Sequence, residues 1–332
     1  MRKIMFMAAM AAAVLSSCSK NEIAQSVSNT NAIGFESYTG ITPEGLRGAP
    51  VETGTLQSDP EGFNVQARKH DDGASYFEQL AFKWNSTKNQ YESTPAKYWP
   101  TTGGLDFLAY YDGTYTVKPT NFIGYTDDAK ATYTIPTDAA DQQDIVYAIL
   151  KNQTSTDGAS KPLTFKHALS RISVQAKSGA DDVTVKVTGV TFNGLYTGSS
   201  SLTMGDVPDW KNVSSTNAEP ITTTLATTSE VVCGTDYEVL LEDESNLMIV
   251  PQKLLDDAKL SIDYSIESGG VEVANITDAE VQLNTAASIP SEGLVAGKHY
   301  IIRLTISKGL NPITFTADVE SWGEQYAEYT IQ

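Results

Sequence analysis

The chain has 332 residues and carries 41 acidic side chains against 23 lysines and arginines, a formal charge of −18. That excess of negative charge repels nucleic acid and anionic lipid headgroups, which excludes both as partners held by bulk electrostatics. With 3 histidines and 2 cysteines there is little material for histidine catalysis, a cysteine-based zinc site or a disulfide framework, and the length suits two domains of roughly 100–150 residues held together by burial.

The first residues read as an export signal. Arg2 and Lys3 precede an unbroken apolar run from Ile4 to Leu15. The run is too short for a membrane-spanning helix, which needs about 20 residues, and has the size of a signal-peptide core. It ends in Leu15-Ser16-Ser17-Cys18, which resembles the bacterial lipobox. There, small residues admit a signal peptidase and the cysteine thiol takes a diacylglycerol. Residues 1–17 are therefore expected to be removed, with Cys18 as the lipidated first mature residue. Losing Arg2 and Lys3 takes the formal charge from −18 to −20. Attachment to a membrane would then be through lipid. The other cysteine, Cys233, lies beside Val231 and Val232 and reads as a buried strand thiol.

Residues 18–30 are polar and unpatterned, the composition of a tether. Beyond them nearly everything reads as β: short runs rich in Val, Ile, Thr, Tyr and Phe, separated by Gly, Asp, Asn, Ser and Pro. "NAIGFESYTG" puts Ile33 and Phe35 on one face. The next stretch, "ITPEGLRGAP", is rich in turn formers and contains Arg47. Arg68, Arg171 and Arg303, by contrast, fall inside strand-like runs. "GFNVQARKH" alternates Phe63, Val65 and Ala67 against Asn64, Gln66 and Arg68. "LDFLAYYD", "ATYTIP", "DIVYAIL" and "LTFKHALSRISVQAK" follow. The second half supplies "VTVKVTGVTFNGLY", "EVLLEDESNLMIVPQ", "AKLSIDYSI", "VEVANITDAEVQL", "KHYIIRLTI" and "ITFTADVESW". In "LSIDYSI", Leu260, Ile262, Tyr264 and Ile266 share one strand face. Many short strands of this kind predict packed sandwiches. "PQKLLDDAK" suits a short helix or turn. Ser199 to Thr228 is the longest polar region, and a domain junction is placed near residue 200, giving units of 31–200 and 201–332.

Catalytic patterns are sparse. His70, His167 and His299 have no partner at the spacing of a metal pair. The sequence holds neither a G-x-S-x-G elbow nor a phosphate-binding glycine loop. The acidic clusters "YTDDAK", "DAADQQD" and "LEDES" lack the ordered ligand positions of an EF-hand and read as solvated turns. Neither a cofactor nor a metal site is expected, and the chain is expected not to be an enzyme. An acid-pair glycosidase is the least favoured alternative, because facing carboxylates leave no mark in sequence spacing.

Several strands carry more than β pattern. "KYWPTTGGLDFLAYY", "DIVYA", "LTFKHALSRISVQA", "AGKHYIIRLTI" and "ITFTADVESWGE" resemble motifs of the fimbrillin family of Bacteroides-type bacteria and occur in that family's order. Ser19-Lys20-Asn21-Glu22 is similar to the surface-export tags of lipoproteins in such bacteria. The resemblance implies an all-β chain of two tandem transthyretin-like sandwiches. It further implies a lipoprotein precursor carried to the outer membrane and cell surface, serving as pilus subunit or pilus-associated adhesin. In polymerising members a trypsin-like protease cuts after an arginine in the loop that follows the first strand, and another subunit's strand fills the groove. Arg47 matches that arginine, so Arg47 and Gly48 flank the expected cut and residues 31–47 form the removable segment. Its Gly/Pro-rich surroundings suit an exposed loop where proteases act. The C-terminal "YAEYTIQ" alternates Tyr326, Glu328, Thr330 and Gln332 against Ala327, Tyr329 and Ile331. Tyr326, Ala327, Tyr329 and Ile331 make it the candidate donor strand, with an ordinary last strand as the alternative. Expected partners are other pilus subunits, the outer membrane through lipid before processing, and a host glycan or protein. The rival reading is a monomeric glycan-binding lipoprotein using Trp84, Tyr91, Tyr98, Trp99 and Trp210.

Overall fold

A computed structural model of the chain describes residues 31–38, 51, 53–111, 120–123, 130–155, 160–211, 213, 218–227, 229–242, 246–286, 289–307 and 313–321. Among these residues regular structure is nearly all strand. The first half holds β1 (Gly34–Tyr38), helix α1 (Thr53–Ser58), β2 (Phe63–Lys69), β3 (Ser75–Asn85), β4 (Gln90–Ser93) and β5 (Leu105–Tyr111). Then come β6 (Thr120–Ile123), β7 (Lys130–Thr134), β8 (Val146–Gln153), β9 (Ser160–Thr164) and β10 (Lys166–His167). The second half holds β11 (Ser170–Ser178), β12 (Val183–Asn193), β13 (Ser199–Thr203), β14 (Asp209–Lys211), β15 (Ile221–Thr222) and β16 (Val231–Cys233). It closes with β17 (Glu238–Val239), β18 (Leu247–Ile249), β19 (Lys259–Ser268), β20 (Val271–Gln282), β21 (Lys298–Ile306) and β22 (Thr314–Ser321).

The strands up to His167, apart from β6 and β7, form an eight-stranded sheet in the order β10-β8-β5-β2-β3-β4-β1-β9. β1 and β9 run parallel and the other neighbours antiparallel. One face carries an aromatic-rich core that includes Phe35, Phe63, Phe82, Tyr91, Phe107 and Phe165. The strands from Ser170 onward, apart from β13 and β14, build two further sheets, β17-β11-β21-β22 and β15-β12-β19-β20, with β18 added to β11 and β16 to β12. Their facing residues, such as Val174, Ile302 and Leu304 against Val185, Phe192 and Ile262, share a second core. That is how two sheets become a sandwich: each strand hides every other side chain against the opposite sheet. The face expected from "LSIDYSI" is the buried one, since Leu260, Ile262, Tyr264 and Ile266 all lie in this core. The turn between β19 and β20 is made by Gly269 and Gly270, at φ +61° and +78°. Two consecutive left-handed residues give the tight hairpin that matches strand twist, and glycine adopts them without steric cost.

A four-stranded sheet, β14-β13-β7-β6, bridges the halves of the chain. Its Ala131, Tyr133 and Leu202 belong to the same cluster as Leu108, Tyr110 and Tyr147 of the eight-stranded sheet. β5 is therefore buried on both faces, with Leu105, Phe107 and Ala109 in one core and Leu108 and Tyr110 in the other. A strand covered on both sides reads as a continuous apolar run rather than an alternation, which is the character of "LDFLAYY". The polar stretch Ser199–Thr228 includes β13, β14 and β15, pinned by buried Leu202, Met204 and Ile221. "PQKLLDDAK" forms a turn, closed by the Ala258 amide donating to the Leu255 carbonyl. Among the described residues no helix is long and apolar enough to cross a membrane.

Candidate functional site

The slot occupied by β1 is the feature that matters most. β1 pairs Gly34 and Phe35 with Glu92 and Tyr91 on β4, and all five of its residues with Ser160–Thr164 on β9. The physical expectation for a removable strand is an edge position. Here β1 is instead interior, with backbone partners on both sides. Because residues alternate in a strand, Ile33, Phe35 and Ser37 point the same way, and all three are buried. The Phe35 ring sits among Phe82 at 4.9 Å, Phe107 at 5.2 Å and Phe63 at 6.5 Å, the first two edge-on. Edge-to-face geometry of this kind adds to the gain from area alone. Opposite Phe35 on β9, Lys161 lies buried with its ammonium 5.3 Å from the centre of the Trp99 ring. Burial pushes the Tyr91 phenol up to about 12, and the Ser37 hydroxyl beside it acts in the opposite direction.

Both ends of this stretch are fastened. Ahead of β1, the Ile33 amide donates to the Lys97 carbonyl at 2.7 Å and the Trp99 amide to the Asn31 carbonyl at 3.2 Å. Past residue 50, the side chains of Val51 and Leu56 are buried, and the Val51 amide donates to Asp144 Oδ2 at 2.8 Å. The same carboxylate oxygen lies 2.7 Å from Nδ1 of His167, in a buried pair. The segment with Arg47 and Gly48 thus runs between two anchored flanks. Arg47, Gly48, Cys18 and the donor candidates Tyr326, Ala327, Tyr329 and Ile331 lie outside the described residues.

The other singled-out residues fall into place as structure. His70 Nδ1 is 2.8 Å from Asp106, which also takes Arg68 Nε at 3.4 Å and the Asn152 amide at 2.8 Å. Burial alone would raise the Asp106 carboxyl; the Asn152 amide, His70 and Arg68 together hold it below the usual range. His299 faces Ser173 Oγ at 2.9 Å, and burial, with Arg171 nearby, lowers its pKa to about 3. Cys233 is buried, and desolvation pushes its thiol up to about 12. "DAADQQD" departs from the solvated turn expected of it. Asp138 caps a short 3-10 helix by accepting from the Ala140 amide, while Gln142, Gln143 and Asp144 are buried. Among the aromatics named for the rival glycan-binding reading, Tyr98 is 41% exposed, but Tyr91 and Trp99 are core residues. Trp84 and Trp210 are half-buried, and the Trp210 indole donates to the Ala168 carbonyl. Among the described residues no group of three or more His, Cys, Asp or Glu could hold a metal ion.

Comparison with known proteins gives these features a setting. A family model described as fimbrillin-like matches residues 53–322. Among solved structures, a fimbrial protein from Bacteroides vulgatus is similar at 19% identity and a TM-score of 0.67, covering 88% of this chain and 99% of that one. A presumed cell adhesion protein from Bacteroides uniformis is similar at 18% identity and a TM-score of 0.49, with 88% and 99% covered. A search among curated proteins returned no match. With the family model spanning most of its length and its fold shared with a fimbrial protein, the chain belongs to the fimbrillin-like family, whose members are structural rather than catalytic.

Proposed function

We propose that this protein is a pilus subunit or pilus-associated adhesin of the cell surface. On this reading it is made as a lipoprotein on Cys18, held at the outer membrane by that lipid, and assembled by protease-triggered strand exchange. Cleavage between Arg47 and Gly48 releases the lipid and the first strand together, and a strand from another subunit takes the vacated position. The observation that carries the reading is the setting of β1, which lies between two partner strands with Phe35 in an aromatic nest. Its loss leaves two rows of unpaired backbone groups and an apolar trough, the arrangement that strand addition satisfies. Burial of Ile33 and Phe35 contributes roughly 1.5–3 kcal/mol each, so a replacement must bring comparable side chains. Tyr326, Ala327, Tyr329 and Ile331 are our candidates for that donor.

The same reading takes the fold as two tandem transthyretin-like sandwiches. The change of sheet membership between His167 and Ser170 supports a division earlier in the chain than residue 200. To test the assembly mechanism, surface-extracted protein is analysed by mass spectrometry for its mature N-terminus. An unlipidated start at Gly48 is expected of the assembled subunit, and a lipidated Cys18 of the precursor. The Arg47→Ala chain should stay uncut and fail to form fibres; its efficient incorporation into fibres sinks the cleavage mechanism.

A further inference from the structure

Away from the β1 slot, the β2–β3 hairpin and the loop between β4 and β5 enclose a cleft of about 410 Å³. Its lining includes Lys69, Asp71, Asp72, Tyr76, Thr101 and Thr102. We propose that this cleft binds an uncharged pyranose unit of a glycan. The proposal rests on the adhesive half of the function above and names its ligand class.

The volume lies within the range of small-molecule sites, and a few convergent polar groups beside an aromatic ring are what such sites use to orient a ligand. Each kind of contact that a sugar ring needs is present. The Tyr76 ring supplies an apolar surface for the C–H face of a pyranose, and its hydroxyl is tied to the Tyr98 carbonyl at 2.7 Å, which fixes the ring. Asp71 and Asp72 supply carboxylate acceptors for hydroxyl donors, and such charge-assisted bonds are the stronger kind. Lys69, Thr101 and Thr102 supply donors for hydroxyl and ring oxygens. The charged side chains lining the cleft give a net negative charge, within a chain of formal charge −18, which disfavours sialylated or sulfated sugars.

The cleft is also built in advance. In the hairpin, the Lys69 amide donates to the Ala74 carbonyl, the Gly73 amide to the Lys69 carbonyl, and the Ala74 amide to Asp72 Oδ1. The His70 amide donates to the Gly104 carbonyl across to the facing loop at 2.9 Å. Gly103 has φ +79°, and a Cβ there would come 3.1 Å from Asp71 Oδ2. A Cβ on Gly104 would come 2.1 Å from Asn152 Oδ1, so a larger residue there would push the Asn152 side chain aside. Beneath both elements, Asp106 gathers Arg68, His70 and Asn152. Order of this kind reduces what binding must spend on fixing the site. The cleft by Asn193, Asp257 and Glu280 offers a contrast, since its lining has carboxylates but no aromatic ring.

The test uses the full chain with methyl glycosides of glucose, galactose, mannose, fucose and N-acetylglucosamine, and with 3′-sialyllactose as the acidic control. Saturation-transfer NMR should detect at least one neutral glycoside and not the sialylated probe. Asp71→Ala and Thr102→Ala should each weaken binding at least tenfold, while Asp257→Ala in the other cleft leaves it unchanged. Absence of binding to every neutral glycoside overturns the proposal, as does binding that both cleft variants retain or that Asp257→Ala abolishes. The Arg47→Ala chain separates the two readings. It should bind the glycoside as the parent does even though it forms no fibres, so loss of sugar binding counts against the cleft and fibre formation against the cleavage mechanism.

Discussion

Phe35 anchors the first strand through a ring that meets three other aromatic rings at once. Phe35→Ala should cost about 3–5 kcal/mol, the range for deleting a buried aromatic, read as a lowered urea midpoint with an unchanged slope. A loss below about 1 kcal/mol shows that the nest collapses around the void. His299 makes a prediction of a different kind. Its pKa is about 3 in the folded chain against an ordinary 6.5, because burial and then Arg171 disfavour the charged ring. The unfolded chain therefore takes up a proton that the folded one refuses. The contribution of His299 is complete above about pH 6.5 and is lost as pH falls toward 3. After allowance for partial exposure, the loss is on the order of 2 kcal/mol. His299→Gln should flatten the fall in stability between pH 7 and pH 4, and an unchanged pH profile would show that the ring titrates normally. Residues like these are poorly legible in sequence. His167 and His299 sit in recognisable strand patterns, but Asp144 and Arg171 reach them through the fold or from another strand. Nothing local in "DAADQQD" announces that Gln142, Gln143 and Asp144 are buried.

At the scale of the element, alternation makes strands easy to find and partners hard to find. "GFNVQARKH" and "LSIDYSI" each show their buried face in the residues alone, since the pattern is set by one strand against one core. Which strands lie beside β1 is a non-local matter. β4 and β9 come from far along the chain, and no short-range signal sets a parallel pair. An edge position, the simplest home for a strand that can leave, gives way to an interior one. That change strengthens the exchange proposal, because two exposed edges create a larger need for replacement than one. If chain cut at Arg47 is separated from its first strand, a synthetic peptide of residues 31–40 should bind the remainder and raise its melting temperature. The same peptide with Phe35→Ala should bind at least tenfold more weakly. Equal rescue by both peptides shows that backbone pairing, rather than the aromatic nest, selects the occupant.

For the whole molecule, the earlier and later sheets share a core through β5 and β8 rather than standing as independent beads. Leu108, Tyr110 and Tyr147 belong to the eight-stranded sheet yet lie in the core shared with the later strands. Calorimetry should accordingly give one cooperative transition for the intact chain. A fragment of residues 31–168 should expose these side chains and bind a hydrophobic dye, whereas a dispersed, dye-free fragment shows that the first unit stands alone. All-β character was legible from composition and punctuation. The shared core was not, because it depends on the four-stranded sheet uniting residues 130–134 with 199–211.

The directions of the strands around β1 bear on what a chain of subunits becomes. β1 runs with β9 and against β4, and Phe35 reaches its nest in that register. An occupant reproducing both the hydrogen-bond ladder and the aromatic plug enters the slot in the same sense as β1. Under the proposed strand exchange, each subunit presents a receiving end and a giving end that differ. Contacts of this heterologous kind do not pair off as a two-fold contact does; they propagate as a filament wherever the rotation between subunits does not close a ring. A fibre built by the proposed exchange would have a beginning and an end, with a slot open at one terminus and an unspent strand at the other. Length control is then a matter of what blocks either terminus.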